Sequence, residues 1–227
     1  MEEVSEVAIR AQMAGTWQYV LLLVVFCFGM AGTSEELLKY VPIAYMRRKQ
    51  STPSSTLAKA RLYVQYAVAA AVGFATIENI GLVYAAIKGG ESATKVAITV
   101  AERVVFSAPG PSLCAWLLAI RAAGEVSTKP IWRKLWSIIG ASALYHGALD
   151  FLFFALSAWN GHVGWIHPRD DTSIAVGLVG VIGWQGSLAL QVRREWRELH
   201  SAENTKTGAK IGKEGSATEM DSTEVEK

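Results

Sequence analysis

The chain is poor in the features that would mark a secreted, disulfide-bonded or nucleic-acid-binding protein. It has only two cysteines in 227 residues, Cys27 and Cys114, and both lie inside apolar segments. Neither a disulfide framework nor a thiolate metal site is therefore indicated. The net charge of +2 is small and dispersed, so nucleic acid is not an expected partner. No signal-peptide pattern precedes Thr16 and the C-terminus has no prenylation motif, so the first span is expected to act as its own insertion signal.

Apolar residues make up 51% of the chain, and they are concentrated in long segments. About 20 apolar residues cross a bilayer, and five segments have at least that length: 17–46, 62–87, 96–120, 135–158 and 173–192. The sequence thus predicts an all-α, polytopic membrane helix bundle of about five spans. It divides into an N-terminal segment (1–16), the transmembrane bundle (17–192) and a basic juxtamembrane segment with a disordered polar tail (193–227), in which disorder is expected from Glu203 onward.

The basic residues of the predicted loops alternate between the two sides of the membrane. One side carries twelve basic residues: five between spans one and two, four between spans three and four, and three after span five. The other side carries four basic residues. Lysine and arginine are enriched in cytoplasmic loops. The N-terminus is therefore predicted outside and the C-terminus in the cytosol.

Several ionisable side chains lie deep within the predicted spans. At about 1.5 Å per helical residue, four of them fall roughly 15 to 26 Å from the cytosolic ends of their spans: Glu36, Glu78, His146 and Asp150. A charge near the bilayer centre costs roughly 2.5 to 3.5 kcal/mol on insertion scales. These side chains should point inward and meet, which makes them candidates for a functional site.

The adjacent acids Glu35 and Glu36 allow two interpretations. Gly29, Gly32 and the Thr33–Ser34 pair interrupt the first span, Thr33 and Glu36 have the spacing of a capping box, and Glu35 has i,i+4 spacing to Lys39. The acids would then only cap and brace a broken helix. Alternatively, they share a proton or a water, with one ionised as a base and the other neutral as an acid.

The other polar groups have the same two readings. Glu78 and Asn79 suit either a hydrogen bond to a neighbouring helix or a catalytic role. His146 and Asp150 share a helical face, so they form either a structural pair or an oriented base or metal ligand. Arg103 would pair with polar groups of other spans, and the two prolines near Gly110 would break the third span.

Four short motifs in order resemble those of the PrsW-type intramembrane proteases, relatives of the CAAX-processing protease superfamily, over roughly residues 30 to 155. They are Glu35-Glu36-Leu-Leu-Lys39, Gly73-Phe74-Ala75 followed by Glu78-Asn79, Arg103 with Pro109-Gly110-Pro111, and His146 to Asp150 followed by Phe151. The resemblance implies peptide-bond hydrolysis within the membrane, on a membrane-protein or lipophilic substrate. It implies catalytic roles for Glu35, Glu36, Glu78 and His146, supported by Asn79, Arg103 and Asp150.

The sequence departs from this family at Pro111, where the third motif usually ends in histidine. If that histidine binds metal or polarises the carbonyl, proteolysis is impaired here. No cofactor is firmly predicted; for a divalent metal such as zinc the candidate ligands are Glu78, His146 and Asp150, although one histidine with carboxylates is a poor zinc set. Two alternatives follow: a membrane isomerase or cyclase that protonates a lipophilic small molecule, and an inactive membrane scaffold.

Overall fold

The structure, a computed structural model, describes residues 2–49, 53–88, 90, 92–102, 109–125, 130–161, 163 and 171–224. The regular elements in these ranges are all helical, which confirms the predicted all-α fold class. In chain order they are α1 (Glu2–Ala14), α2 (Trp17–Val24), a π-helical segment (Val25–Gly32), α3 (Thr33–Lys49), α4 (Thr56–Lys88), α5 (Ala93–Glu102), α6 (Pro109–Gly124), α7 (Ile131–Trp159) and α8 (Asp171–Glu224).

Among the described residues, four helices are long and apolar enough to cross a membrane. They are Trp17–Lys49, which joins α2, the π-helical segment and α3, then Thr56–Lys88, Ile131–Trp159 and Asp171–Lys206. The protein is accordingly an integral, multi-pass membrane protein. The predicted third span corresponds to α5 and α6, which flank residues outside the described ranges. The five-span count and the orientation of the termini stay predictions.

The sequence predicts a break in the first span just before the paired acids. The structure instead has a continuous helix there, which changes its pitch. Val25–Gly32 is π-helical, and the α-helix resumes at Thr33. The Thr33 hydroxyl donates to the carbonyl oxygen of Phe28 at 2.7 Å, and the Ser34 hydroxyl donates to that of Met30. These hydroxyls therefore satisfy backbone carbonyls of the widened turn. π-Helical segments are rare, and they are frequently found at functional sites.

Small residues bring α4 and α6 close together in the core of the bundle. Ala67 and Ala71 of α4 are fully buried, as are Ala115 and Ala119 of α6. Within a membrane the hydrophobic effect does not drive helices together, so close packing of small side chains is a main source of association. The same core extends to Ile43 of α3 and to Ile138 and Ile139 of α7. Helices α3, α4, α6 and α7 thus form the scaffold that holds the polar residues described below.

Large apolar side chains cover much of the outside of the bundle, as expected for a surface in contact with lipid. Exposed examples from three different spans are Leu22, Val25, Ile77, Ile80, Val179 and Ile182. Helix α8 extends through the polar C-terminal residues to Glu224. One local bond there joins the Thr205 hydroxyl to the Ser201 carbonyl at 3.0 Å, and Glu203 accepts from the backbone N–H of Thr56 at 3.2 Å. The three-part division of the chain stays a prediction.

Candidate active site

The paired acids and the histidine are brought together by a close contact between the π-helical segment and α7. A Cβ atom added to Gly32 would lie 2.7 Å from the carbonyl oxygen of Ala143, and one added to Gly147 would lie 2.6 Å from a ring carbon of Phe28. Only glycine permits two backbones to approach this closely. The contact sets the turn that carries Glu35 and Glu36 directly against the turn of α7 that carries His146.

His146 lies between the two glutamates. Its Nδ1 is 3.1 Å from Oε1 of Glu36, and its Nε2 is 3.2 Å from Oε2 of Glu35. The Nε2 is also 3.6 Å from Oδ2 of Asp150, one turn further along α7. The predicted partner Asp150 is thus the more distant one, and the two acids of α3 hold the imidazole on both sides. Each ring nitrogen is within hydrogen-bonding distance of a carboxylate from another element.

Lys39 is a member of this cluster that the site prediction does not include. Its Nζ lies 2.5 Å from Oε1 of Glu36, the same oxygen that contacts His146. Both Lys39 and Glu36 are completely buried. The sequence places Lys39 in helical register with both acids, at i,i+3 from Glu36 and i,i+4 from Glu35. The expected ion pair between Lys39 and Glu35 is wrong, because the Lys39 ammonium contacts Glu36 instead.

The contacts fix where the protons of the cluster lie. Glu36 faces an ammonium and is therefore a carboxylate, which can only accept hydrogen bonds. The Nδ1 of His146 must then carry a proton and donate it to Glu36. A 3.2 Å contact between Nε2 and Glu35 also needs one proton, held either by the imidazole or by the carboxyl group. A proton shared between Glu35 and His146 leaves Lys39, Glu36, Glu35 and His146 neutral together, and the Asp150 carboxyl group lies 3.6 Å from the same Nε2.

The two adjacent acids differ sharply in their surroundings. The Glu36 side chain is fully buried, whereas that of Glu35 is 17% exposed and that of Asp150 is 29% exposed. The Oε2 atom of Glu36 is buried and has no hydrogen-bond partner among the described residues. Water or a substrate can thus reach Glu35 but not Glu36. The acids are chemically equal in sequence, and the fold makes one accessible and the other enclosed.

The remaining predicted site residues lie at different distances from this cluster. Glu78 of α4 is exposed and close enough to Glu35 for their charges to interact. Its neighbour Asn79 has a buried side-chain oxygen without a hydrogen-bond partner in the described ranges. Arg103 lies outside the described residues. Of the predicted site, Glu35, Glu36 and Asp150 thus lie around His146, each within 3.6 Å of a ring nitrogen.

The donor set does not fit a divalent metal ion. In the part of the chain that the structure describes, no three histidine, cysteine, aspartate or glutamate side chains are arranged to hold one, including the candidate set of Glu78, His146 and Asp150. The single imidazole has a carboxylate against each ring nitrogen, and the most enclosed carboxylate is already paired with an ammonium. Catalytic zinc takes three protein ligands, commonly with several histidines. The residues here instead form a chain of ion pairs and hydrogen bonds.

The place of the third-motif histidine is occupied by the start of α6. Pro109 and Pro111 fall in its first turn, where a missing backbone N–H costs no helical hydrogen bond. A Cβ added to Gly110 would lie 2.8 Å from the indole of Trp184, and Trp184 donates from Nε1 to the Tyr145 carbonyl at 2.7 Å. Helix α8 therefore ties the start of α6 to the residue before His146. The sequence carries no signal for this contact, since a tryptophan in a predicted span is ordinary.

Comparison with known proteins gives one family. The family described as PrsW family intramembrane metalloprotease matches residues 4–182, which is more than half of the chain. That range includes all the cluster residues described above. Comparisons with curated proteins and with solved structures give no match.

Proposed function

Because the chain belongs to the PrsW family of intramembrane metalloproteases, we propose that it hydrolyses peptide bonds in membrane-embedded segments of other proteins, with Glu35 as the base and His146 as its partner. The observation that carries this proposal is the position of His146 between two unequal glutamates, at 3.1 Å from Glu36 and 3.2 Å from Glu35. With one acid at each ring nitrogen, Glu36 can orient the imidazole while Glu35 takes up and releases a proton. The membrane setting and the protease class follow from the family and the spans.

The proposed reaction needs one water and the shared proton. In the reacting form Glu35 is ionised and His146 is protonated on both ring nitrogens. The water oxygen attacks the carbonyl carbon of the substrate while Glu35 takes a proton from that water. The electron pair of the C=O bond moves to oxygen, and the N–H of His146 at Nε2 stabilises the resulting oxyanion.

The second half of the reaction returns the site to its starting state. The oxyanion re-forms the C=O bond as the C–N bond breaks, the C–N electron pair goes to the leaving nitrogen, and that nitrogen receives the proton held by Glu35. One water is consumed, and a carboxyl group and an amine are produced. Glu36 stays fixed throughout as the acceptor from Nδ1 of His146. No step runs through a metal ion, and the histidine replaced by Pro111 takes no part.

The test is cleavage of defined membrane peptides. The protein would be reconstituted in phosphatidylcholine vesicles with a panel of single-span peptides that carry a fluorophore and a quencher on opposite sides of a Gly-Pro site, which weakens the local helix. Glu35→Gln keeps the shape of the side chain but cannot take a proton, so the rate should fall roughly 10²- to 10⁴-fold. Glu198→Gln, on an exposed part of α8, is the matched control.

Mass spectrometry of the products would locate the cut bond. Cleavage by the wild type and by Glu198→Gln but not by Glu35→Gln supports the proposal. Cleavage by Glu35→Gln at the wild-type rate contradicts it, as does a wild type that cuts no peptide of the panel. The second of these results would direct attention to the isomerase and scaffold alternatives.

A further inference from the structure

The ion pair of Lys39 and Glu36 is the most enclosed charged contact in the described part of the site. Both side chains are buried within the first membrane span, and their charged atoms are 2.5 Å apart. A lone charge in such surroundings costs several kcal/mol, so an ammonium persists there only beside an anion. Lys39 and Glu36 therefore form a closed pair of charges. The same Glu36 oxygen also accepts from His146, so the lysine holds the acceptor that orients the ring.

Building on the proposed function, we infer that Lys39 is a positioning residue that supplies the positive charge expected of a metal ion, so that the site works without a divalent metal. The ammonium already balances the negative charge of Glu36 through Oε1, and the second carboxylate oxygen, Oε2, is enclosed. Both nitrogens of the only imidazole in the cluster face carboxylates, and Pro111 stands where the family usually has a second histidine. A metal ion bound by His146 would have to displace a carboxylate from one of its ring nitrogens, and would add positive charge to a carboxylate that Lys39 already neutralises.

The lysine also explains the division of labour between the glutamates. With Lys39 and His146 both on its Oε1, Glu36 is held as a fixed anion and is out of reach of water. The Lys39 ammonium contacts Glu36 and not Glu35, and the Glu35 side chain stays partly exposed. The positive charge at Glu36 thus selects Glu35 as the residue that can take a proton.

The first experiment measures metal directly. The wild-type protein would be purified in detergent without added metal, and its zinc content measured by mass spectrometry. We expect no stoichiometric zinc, and no effect of 1,10-phenanthroline on the melting temperature or on peptide cleavage. About one zinc per chain that is lost in His146→Ala, or cleavage that stops with the chelator and returns with zinc chloride, would overturn the inference.

The second experiment removes the charge of Lys39 alone, and then together with the charge of its partner Glu36. Lys39→Met leaves a buried carboxylate unpaired, so the melting temperature should fall by roughly 10 °C and kcat at least tenfold, with KM unchanged. Lys39→Met combined with Glu36→Gln removes both charges and keeps an oxygen acceptor for His146. The double variant should melt near the wild-type temperature and cleave faster than the single variant. Lys88→Met, at an exposed lysine of α4, is the control for the substitution itself.

The outcomes separate this inference from the proposed function. A double variant that is more active than Lys39→Met shows that Glu36 is an anchor, because loss of a base could not restore activity. A double variant no better than Lys39→Met contradicts the inference, and so does a loss of Lys39 that changes KM alone. In both cases Glu35→Gln remains the test of the proposed function: its inactivity upholds proteolysis whatever the role of Lys39.

Discussion

Replacing Gly32 by alanine tests whether the contact between the π-helical segment and α7 positions the catalytic cluster. The added Cβ would lie 2.7 Å from the Ala143 carbonyl oxygen and 2.9 Å from that of Cys27. Both neighbours are backbone atoms, so no side chain can rotate away. A carbon atom approaches a carbonyl oxygen to about 3.3 Å. To relieve the contact with Ala143, the π-helical segment and α7 must separate by about 0.6 Å, and this movement shifts His146 relative to Glu36.

Gly29 provides a matched control in the same π-helical segment, because a Cβ there would meet no atom within 4 Å. Both substitutions gain up to about 1 kcal/mol from the higher helix propensity of alanine. Only Gly32→Ala also suffers overpacking, which costs about 1 to 3 kcal/mol. The two variants should thus differ in melting temperature by roughly 2 to 12 °C for a chain of this size. Misplacement by 1 Å can cost 10²-fold in rate, so a shift of half that size should cost roughly tenfold.

Thermal unfolding in detergent and peptide cleavage in vesicles would measure these two effects separately. We expect Gly29→Ala to melt at a higher temperature and to cleave the peptides faster than Gly32→Ala. Equal melting temperatures for the two variants would show that the backbone contact is looser than 2.7 Å implies. Equal cleavage rates despite a stability difference would show that the contact holds the bundle together without positioning the site.

Two further substitutions probe the helices around the cluster. Trp184→Phe keeps a ring beside Gly110 but loses the 2.7 Å hydrogen bond to the Tyr145 carbonyl, so thermal unfolding should show a loss of stability of about 0.5 to 1.5 kcal/mol. The control Trp159→Phe, at an exposed position, should show no loss. Equal stability of the two variants would argue against the hydrogen bond. Pro111→His restores the histidine usual in the family, and because the proposed mechanism does not use it, this variant should cleave the peptide panel no faster than the wild type. Cleavage by the Pro111→His variant alone would contradict the proposed function of the natural chain.

The sequence predicts the spans well because their signal is local. A run of about 20 apolar residues has few outcomes other than a membrane helix, and four of the predicted segments lie in helices long enough to span. The depth of Glu36, His146 and Asp150 could be estimated in the same way, from helical rise alone. In the structure His146 contacts Glu36 at 3.1 Å and Asp150 at 3.6 Å, while the depth of the three residues stays a prediction. Burial cost is the physical reason that depth is informative, since a charge placed there needs a partner.

The partners themselves could not be predicted from spacing. Lys39 is within helical reach of both acids, and spacing alone does not tell which acid its ammonium contacts or that His146 of α7 lies between the two. The π-helical segment is equally invisible in the sequence. Gly29, Gly32 and Thr33 suit a broken helix as well as a widened one, and the packing against Gly147 decides between these forms. Tertiary contacts thus determine which acid is enclosed and which stays partly exposed, although both acids are evident in the sequence.

The position of Lys39 on the same helix as Glu36 has a consequence for assembly. Each isolated charge would cost roughly 2.5 to 3.5 kcal/mol at the centre of the bilayer. A lysine three residues from the acid compensates that charge within one helical turn, before any other helix has docked. A metal ion could compensate it only after α7 had brought His146 to the site. The first span can thus enter the membrane with its most buried acid already neutralised, and the docking of α7 at Gly32 and Gly147 then adds the histidine to a glutamate that is already held in place.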